Sequence, residues 1–190
     1  ALFAGAIQLP TEAGFRRIGM DHFALPEDEL SRAREAGTLT RNFMGYTVRQ
    51  GTDLVAFGVS GIGEVGGAFV QNVKKLSDYY HRLDESNLPV DRGYVLDADD
   101  RIRRFVILSL MCNFELDIAE LRSRFGIDFY TYFASELSRL EDSIEPGFVV
   151  RSPQKLTVTP LGSVFIRNVC MIFDRYLTGA ASKPIYSRTV

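Results

Sequence analysis

The first 40 residues alternate between helical periodicity and an extended apolar run. Residues 2–13 predict a short helix that ends at a glycine, and residues 15–23 predict one strand after it. A second helix is expected from Pro26, because proline suits the first helical position and the acidic residues 27–29 suit the positive end of the helix dipole. It should end at Gly37. A helix, a strand and a helix in this order are typical of an α/β unit.

The next segment becomes glycine-rich and then periodic. Residues 40–47 predict a strand or an extended loop, and residues 52–67 predict a buried strand that runs into glycines. From Phe69 to Leu83, apolar residues recur every three or four positions, which predicts a helix.

A polar stretch with asparagine, proline and glycine separates the two halves of the chain. We predict that this stretch, residues 84–98, is a linker between a first domain at 1–83 and a second domain at 99–190.

The second half predicts a mainly helical domain with one hairpin. Its expected elements are a helix from Asp99 to about residue 114, helices at 118–125 and 128–140, a hairpin at 147–160, and a long helix to about Leu177. This order is winged-helix-like. Residues 182–190 have no periodicity, so we expect them to pack as an extended arm or to fray.

Composition indicates an ordinary globular protein. Of the 190 residues, 46% are hydrophobic and 24% are charged, and the net charge is −2. A nucleic-acid or acidic-membrane binder would need a basic excess, so we expect neither partner. The candidate DNA-reading helix at 128–142 is itself acidic, and phosphates would repel it.

Two cysteines and the lack of a membrane signal indicate the cellular location. Cys112 and Cys170 lie in apolar helical patterns, which predicts buried, reduced thiols in a cytoplasmic protein. No apolar run reaches the roughly 18 residues of a membrane span. The chain begins at Ala1, within a helical pattern, and we therefore expect it to be a piece of a longer protein.

The glycine-rich run allows three interpretations. Residues 61–66 match GxGxxG, with a carboxylate at Asp84 or Glu85 near the offset of a dinucleotide site, although Glu64 would repel a pyrophosphate. Alternatively, bare glycines allow a flat or bulky ligand to approach the backbone, or they serve a tight bend alone. Ser60 lacks the following glycine of a nucleophile elbow.

The histidines offer little for metal binding. His22 and His81 have no second histidine or cysteine at ligand spacing, so we predict no metal site. His22, beside Asp21, is the one plausible polar site, and a hydrogen-bonded turn is the alternative.

Five stretches together resemble a known family. They are GMDHFALPEDEL, LTRNFMGYT, TDLVAFGVSGIGEVGGAFVQN, RRFVILSLMCNF and LGSVFIRNVCMIFDRYL. In this order they resemble the C-terminal part of oxygen-independent coproporphyrinogen III oxidases, which are radical S-adenosylmethionine enzymes of haem biosynthesis. The resemblance covers essentially the whole chain.

The resemblance implies a fold and a set of cofactors. The fold would be the last strands and helices of an incomplete curved α/β barrel, followed by the helical domain that covers the catalytic face. The family uses S-adenosylmethionine and a [4Fe–4S] cluster held by CxxxCxxC, which this chain lacks. The N-terminal half of the family's proteins would supply the cluster, so this chain alone should be inactive. Ile62 and Met44 would contact a second S-adenosylmethionine, although the family often has glutamine where Met44 stands.

The resemblance also implies a substrate, coproporphyrinogen III, which carries carboxylates. His22 and Arg41 are candidates for the substrate rim, and Arg49 is a further candidate partner for a carboxylate. An apolar wall would keep water from the radical chemistry. We expect its members to be Phe43, Met44, Tyr46, Ile62 and Val65. A module that binds a tetrapyrrole or a protein without chemistry is the competing interpretation.

Overall fold

A computed structural model describes residues 2–177 of the chain. In chain order the elements are α1 (Leu2–Glu12), β1 (Arg16–Gly19), β2 (His22–Ala24), α2 (Glu29–Glu35), β3 (Thr40–Asn42), β4 (Gly45–Thr47), β5 (Ile62–Val65), β6 (Ala68–Asn72), α3 (Leu76–Asp84), β7 (Val90–Val95), α4 (Ala98–Leu108), a π-helical turn (Ser109–Asn113), β8 (Glu115–Asp117), α5 (Ile118–Phe125), α6 (Phe129–Tyr132), α7 (Ala134–Ile144), β9 (Val149–Arg151), β10 (Lys155–Val158), a 3₁₀ turn (Gly162–Phe165) and α8 (Ile166–Ile172).

The contacts between residues define two compact units. One unit contains the residues up to Leu39 together with those from Ile102 onward, and the other is Thr40–Arg101. The predicted division into 1–83 and 99–190 differs from these units and stays a prediction about the domains. The predicted linker at 84–98 contains strand β7.

The first unit begins with a helix and a hairpin. The predicted strand at 15–23 is two strands, because β1 and β2 pair antiparallel around a turn at Met20 and Asp21. Helix α2 starts later than predicted from Pro26, because the carboxylate of Asp28 accepts a hydrogen bond from the N–H of Leu30 at 2.8 Å and caps it. The predicted helix at 2–13 is confirmed as α1.

The rest of this unit surrounds a dense aromatic and aliphatic core. Strands β8, β10 and β9 form an antiparallel sheet in that order, which confirms the predicted hairpin and adds a third strand. The side chains that are almost completely buried include Val106, Leu110, Leu116, Leu121, Phe129, Phe133, Leu140, Leu156, Ile166 and Phe173.

Two predicted helices in this unit are interrupted. The helix predicted at 128–140 breaks at Phe133, where φ is −105° and ψ is 27°, because the run FYTYF consists of poor helix formers. The long helix predicted to Leu177 instead begins as a 3₁₀ turn and ends at Ile172. Residues 182–190, the predicted arm, lie outside the described residues.

The second unit contains a three-stranded antiparallel sheet, β5-β6-β7, and the separate hairpin β3-β4. The helix predicted at 69–83 is wrong over its first part, which is strand β6. Gly66 and Gly67 have φ of +59° and +78°, the two positive angles of a tight two-residue hairpin turn, and this turn returns the chain as a strand.

All strand pairs among residues 2–177 are antiparallel, and no closed α/β barrel forms there. The helix, strand and helix predicted at the start of the chain are found with a two-stranded hairpin in place of the single strand. The mixed content of helices and strands is as predicted. The incomplete barrel stays a prediction.

Candidate functional site

Ile62 begins strand β5 and lies on one face of the second unit's sheet. Because side chains alternate across a strand, Ile62 and Glu64 share a face with their cross-strand partners Gln71 and Phe69. The side chain of Ile62 is 36% exposed. The predicted contact residue is thus on an accessible surface.

The β3-β4 hairpin packs against this same face. The ring of Phe43, at the hairpin tip, meets the ring of Phe69 edge-on, with centroids 5.2 Å apart. Met44 follows Phe43, and its N–H donates to the Asn42 side chain at 2.8 Å. The Met44 side chain is 84% exposed. The structure thus places the hairpin tip that carries Met44 on the face that carries Ile62.

The five residues of the predicted apolar wall differ in exposure and in the face they occupy. Phe43, Met44 and Ile62 are exposed, but Tyr46 is buried. Val65 points to the opposite face from Ile62, because three residues along a strand reverse the side. Of the five predicted wall residues, only Phe43, Met44 and Ile62 combine exposure with this face, and the wall itself stays a prediction.

Arg41 stands directly opposite Tyr46 in the hairpin. Its guanidinium lies 5.1 Å from the centre of the Tyr46 ring, a cation–π contact that orients the side chain. Arg49 is exposed beyond the hairpin, and its backbone N–H donates to the hydroxyl of Thr47 at 3.1 Å. Either guanidinium has the chemistry to bind a carboxylate.

The glycine-rich run is explained by contacts within the chain. A Cβ at Gly63 would lie 2.5 Å from the carbonyl oxygen of Leu54, and one at Gly61 would lie 3.1 Å from the carbonyl oxygen of Phe57. The glycines thus allow the backbone to pack on itself, which favours the tight bend over ligand approach. A dinucleotide loop is excluded, because Gly66 turns a hairpin and a strand follows it.

The loop before Ile62 is held by two residues that the sequence reasoning missed. Asn72 is 6% exposed, and its side-chain amide donates to the carbonyl oxygens of Ala56 and Gly58 at 3.1 and 2.9 Å. The hydroxyl of Tyr79 accepts a hydrogen bond from the N–H of Gly58 at 3.0 Å. An asparagine at the buried end of an apolar strand is the signal that could have identified Asn72.

His22 belongs to the first unit and starts strand β2. Its Nδ1 lies 2.9 Å from Oδ1 of Asp21, and both side chains are substantially exposed. The structure therefore confirms that the two side chains interact, as in the hydrogen-bonded turn. A role of His22 at a substrate rim stays a prediction.

Metal and thiol chemistry have little support in the described part of the chain. No group of three or more His, Cys, Asp or Glu side chains in residues 2–177 is arranged to hold a metal ion. Cys112 and Cys170 are buried, and neither forms a disulfide. Burial, with a smaller effect of the nearby Cys112, raises the pKa of the Cys170 thiol far above its usual range. These cysteines therefore do not suit an exposed iron–sulfur site.

None of the helices within residues 2–177 combines the length and the apolar character that a membrane span needs.

Comparison with known proteins shows what the chain is similar to. Residues 96–165 match the HemN C-terminal domain model. The chain is 44% identical over 178 residues to an oxygen-independent coproporphyrinogen III oxidase of Pseudomonas aeruginosa, covering 94% of this chain and 38% of that protein. It is also 44% identical over 180 residues to the Escherichia coli protein of the same name, covering 95% and 39%. The chain thus spans about two fifths of these relatives.

A solved structure shows the same similarity. The fold matches coproporphyrinogen III oxidase (HemN) from Escherichia coli, described as a radical SAM enzyme, with a TM-score of 0.88 and 43% sequence identity. The match covers 91% of this chain and 40% of that one.

Proposed function

Because this chain carries a HemN C-terminal domain and is similar along most of its length to the C-terminal part of oxygen-independent coproporphyrinogen III oxidases, we propose that its full-length parent is such an enzyme. The reaction would be the oxidative decarboxylation of coproporphyrinogen III to protoporphyrinogen IX without oxygen. The observation that carries the proposal is 44% identity over 94% of the chain. When bound, S-adenosylmethionine and a [4Fe–4S] cluster would supply the radical chemistry.

This chain would contribute cofactor contacts. Ile62 and Met44 would contact a second S-adenosylmethionine through their exposed apolar side chains, and Phe43 beside them would exclude water. Their common placement on one face of the sheet supports this role. Met44 offers no amide hydrogen bonds, so its contribution would be van der Waals contact alone.

The substrate would be held by polar groups. The carboxylates of coproporphyrinogen III are suited to Arg41 and Arg49, and His22 would order or touch the substrate rim. The cation–π contact between Arg41 and Tyr46 supports a preorganised guanidinium, which loses less freedom on binding.

The second half would be the winged-helix-like domain that covers the catalytic face. The sheet order is β8-β10-β9, and α5, α6 and α7 lie between β8 and β9 along the chain. This arrangement supports the assignment. We do not propose a nucleic-acid partner, because α7 carries Glu136, Glu141 and Asp142 against one basic residue, Arg139.

The cluster ligands would come from the N-terminal part of the parent, and that part would be the main partner of this chain. A cytoplasmic location suits the reduced cysteines, Cys112 and Cys170. Residues 1–83 would then form the end of the parent's incomplete barrel.

An anaerobic assay of the full-length parent tests the proposal. With a reconstituted cluster, a reductant and S-adenosylmethionine, the parent should convert coproporphyrinogen III to protoporphyrinogen IX, detected by its fluorescence after oxidation. The 190-residue chain alone should convert none. Tetrapyrrole binding by the parent without conversion would instead support the non-catalytic binding module.

A further inference from the structure

The loop that leads into Ile62 is fixed by several hydrogen bonds from the end of β6. The Asn72 amide reaches the carbonyl oxygens of Ala56 and Gly58, and its backbone N–H donates to the carbonyl oxygen of Gly61 at 2.9 Å. One buried residue therefore holds both ends of the bend and its middle.

Neighbouring groups complete this attachment. The Gln71 amide donates to the carbonyl oxygen of Ser60 at 3.3 Å, and the N–H of Ser60 donates to the carbonyl oxygen of Val73 at 2.9 Å. Ser60 has φ of +56°, a conformation that is unfavourable for a residue with a side chain. The surrounding hydrogen bonds offset the cost of this conformation.

The held bend presents apolar side chains outward. Phe57 is 87% exposed at its centre, and Ile62 is partly exposed at its end. A loop whose backbone is fixed can offer such side chains to a ligand without losing conformational entropy on binding.

We infer that Asn72 is a positioning residue, which fixes the bend from Ala56 to Gly61 so that Ile62 contacts the adenosyl cofactor in the correct place. The inference rests on the proposed function, because the contact at Ile62 is part of it. Asparagine is needed because its amide offers two N–H donors in a planar fork, whereas an aspartate offers only acceptors to the same carbonyl oxygens. Tyr79 supports the same bend through the N–H of Gly58.

The test uses the full-length parent with Asn72→Ala, Asn72→Asp and Tyr79→Phe. Binding of S-adenosylmethionine is measured by equilibrium dialysis, without turnover, and the KM values of S-adenosylmethionine and coproporphyrinogen III are measured separately. Both Asn72 variants should weaken binding of the second equivalent of S-adenosylmethionine about tenfold, the effect of losing one or two hydrogen bonds, while the KM of coproporphyrinogen III changes less than about twofold. Tyr79→Phe should cause a smaller weakening.

Two readouts distinguish positioning from a loss of folding. In Asn72→Asp, binding should recover as the pH falls, because a protonated carboxyl regains one donor, and Asn72→Ala should show no recovery. Amide hydrogen exchange of residues 58–62 should rise in both variants. Asn113→Ala is the matched control, since Asn113 makes two side-chain hydrogen bonds to the backbone of Leu39 in the other unit.

The outcomes separate the inference from the proposed function. Unchanged S-adenosylmethionine binding in the Asn72 variants, or equal weakening in Asn113→Ala, would overturn the positioning role while leaving the enzyme assignment intact. A wild-type parent that binds S-adenosylmethionine but converts no coproporphyrinogen III would refute the proposed function, and the binding data would still decide the role of Asn72. A parent that binds no S-adenosylmethionine would refute both.

Discussion

The guanidinium of Arg103 donates a hydrogen bond to the carboxylate of Glu136 at 2.8 Å, although only 15% and 7% of the two side chains are exposed. Arg103 also donates to the carbonyl oxygen of Phe173 at 3.0 Å, and Arg139 donates to that of Ile172 at 2.8 Å. This buried ion pair therefore joins α4 to α7, and the two arginines satisfy the carbonyl groups at the end of α8.

Removing one member of this pair should destabilise the chain strongly. Arg103→Met leaves the Glu136 carboxylate buried without its closest cation, so the free energy of unfolding should fall by about 3–5 kcal/mol. Urea unfolding followed by circular dichroism measures this. The double variant Arg103→Met with Glu136→Met should recover most of the loss, and a double variant as unstable as the single one would contradict this account.

The ion pair should also make stability depend on pH. Burial alone would raise the pKa of Glu136, but the hydrogen bonds from Arg103 and Ser135 outweigh it and hold the pKa below its usual value of 4.5. The stabilisation is therefore complete above pH 4.5 and is lost as the pH falls through the lower pKa of the folded state. The difference in unfolding free energy between wild type and Glu136→Gln should shrink over that range.

The exposed pair of Glu141 and Arg151, 2.8 Å apart, provides the control for this pH series. Glu141→Gln should change the free energy of unfolding by no more than about 1 kcal/mol at any pH, because water screens the pair. A similar pH dependence in both variants would show that burial is not the cause.

The sequence predicted well where the structure depends on local chemistry. Helix α5 was predicted at 118–125 and is found there, because the Asp117 carboxylate caps its start and Gly126 ends it with φ of +69°. The prediction failed at β6, because five residues are too few to distinguish the two-residue periodicity of a strand from the 3.6-residue periodicity of a helix. The glycine pair before β6 was the signal that would have corrected it.

The candidate site was less accessible from the sequence. Ile62 and Met44 were identified only through the family resemblance. That Val65 and Ile62 lie on opposite faces follows from strand β5, whose bounds the sequence did not predict. The role of Asn72 depends on contacts with Ala56 and Gly58, 16 and 14 residues away. Such contacts follow from the register of β5 and β6, which spacing along the chain does not encode.

Gly63 should be the least replaceable residue of the glycine-rich run. Gly63→Ala places a methyl group 2.5 Å from the carbonyl oxygen of Leu54, so the bridge between Leu54 and Glu64 must open. We expect a loss of about 1–3 kcal/mol in unfolding free energy by urea titration. Gly5→Ala, in α1 with no atom within 4 Å of the new Cβ, should instead stabilise the chain by up to about 1 kcal/mol.

The two thiols should be inert in the folded protein. Cys170 and Cys112 are buried, and burial raises the pKa of Cys170, so almost no thiolate forms at pH 8. A disulfide reagent such as DTNB should react with neither thiol within minutes in buffer and with both in denaturant. Rapid reaction of one thiol in buffer would contradict the packing described for α8 and the π-helical turn.

The two histidines provide a matched test of the substrate rim. His22 and His81 each lie near a carboxylate, Asp21 at 2.9 Å and Glu85 at 3.4 Å, but only His22 is proposed to order or touch the substrate. In the full-length parent, His22→Ala should raise the KM of coproporphyrinogen III about tenfold, the effect of losing one hydrogen bond to a charged group. His81→Ala should leave it within about twofold. Wild-type kinetics in His22→Ala would mean that the imidazole serves only the turn between β1 and β2, through its hydrogen bond with Asp21.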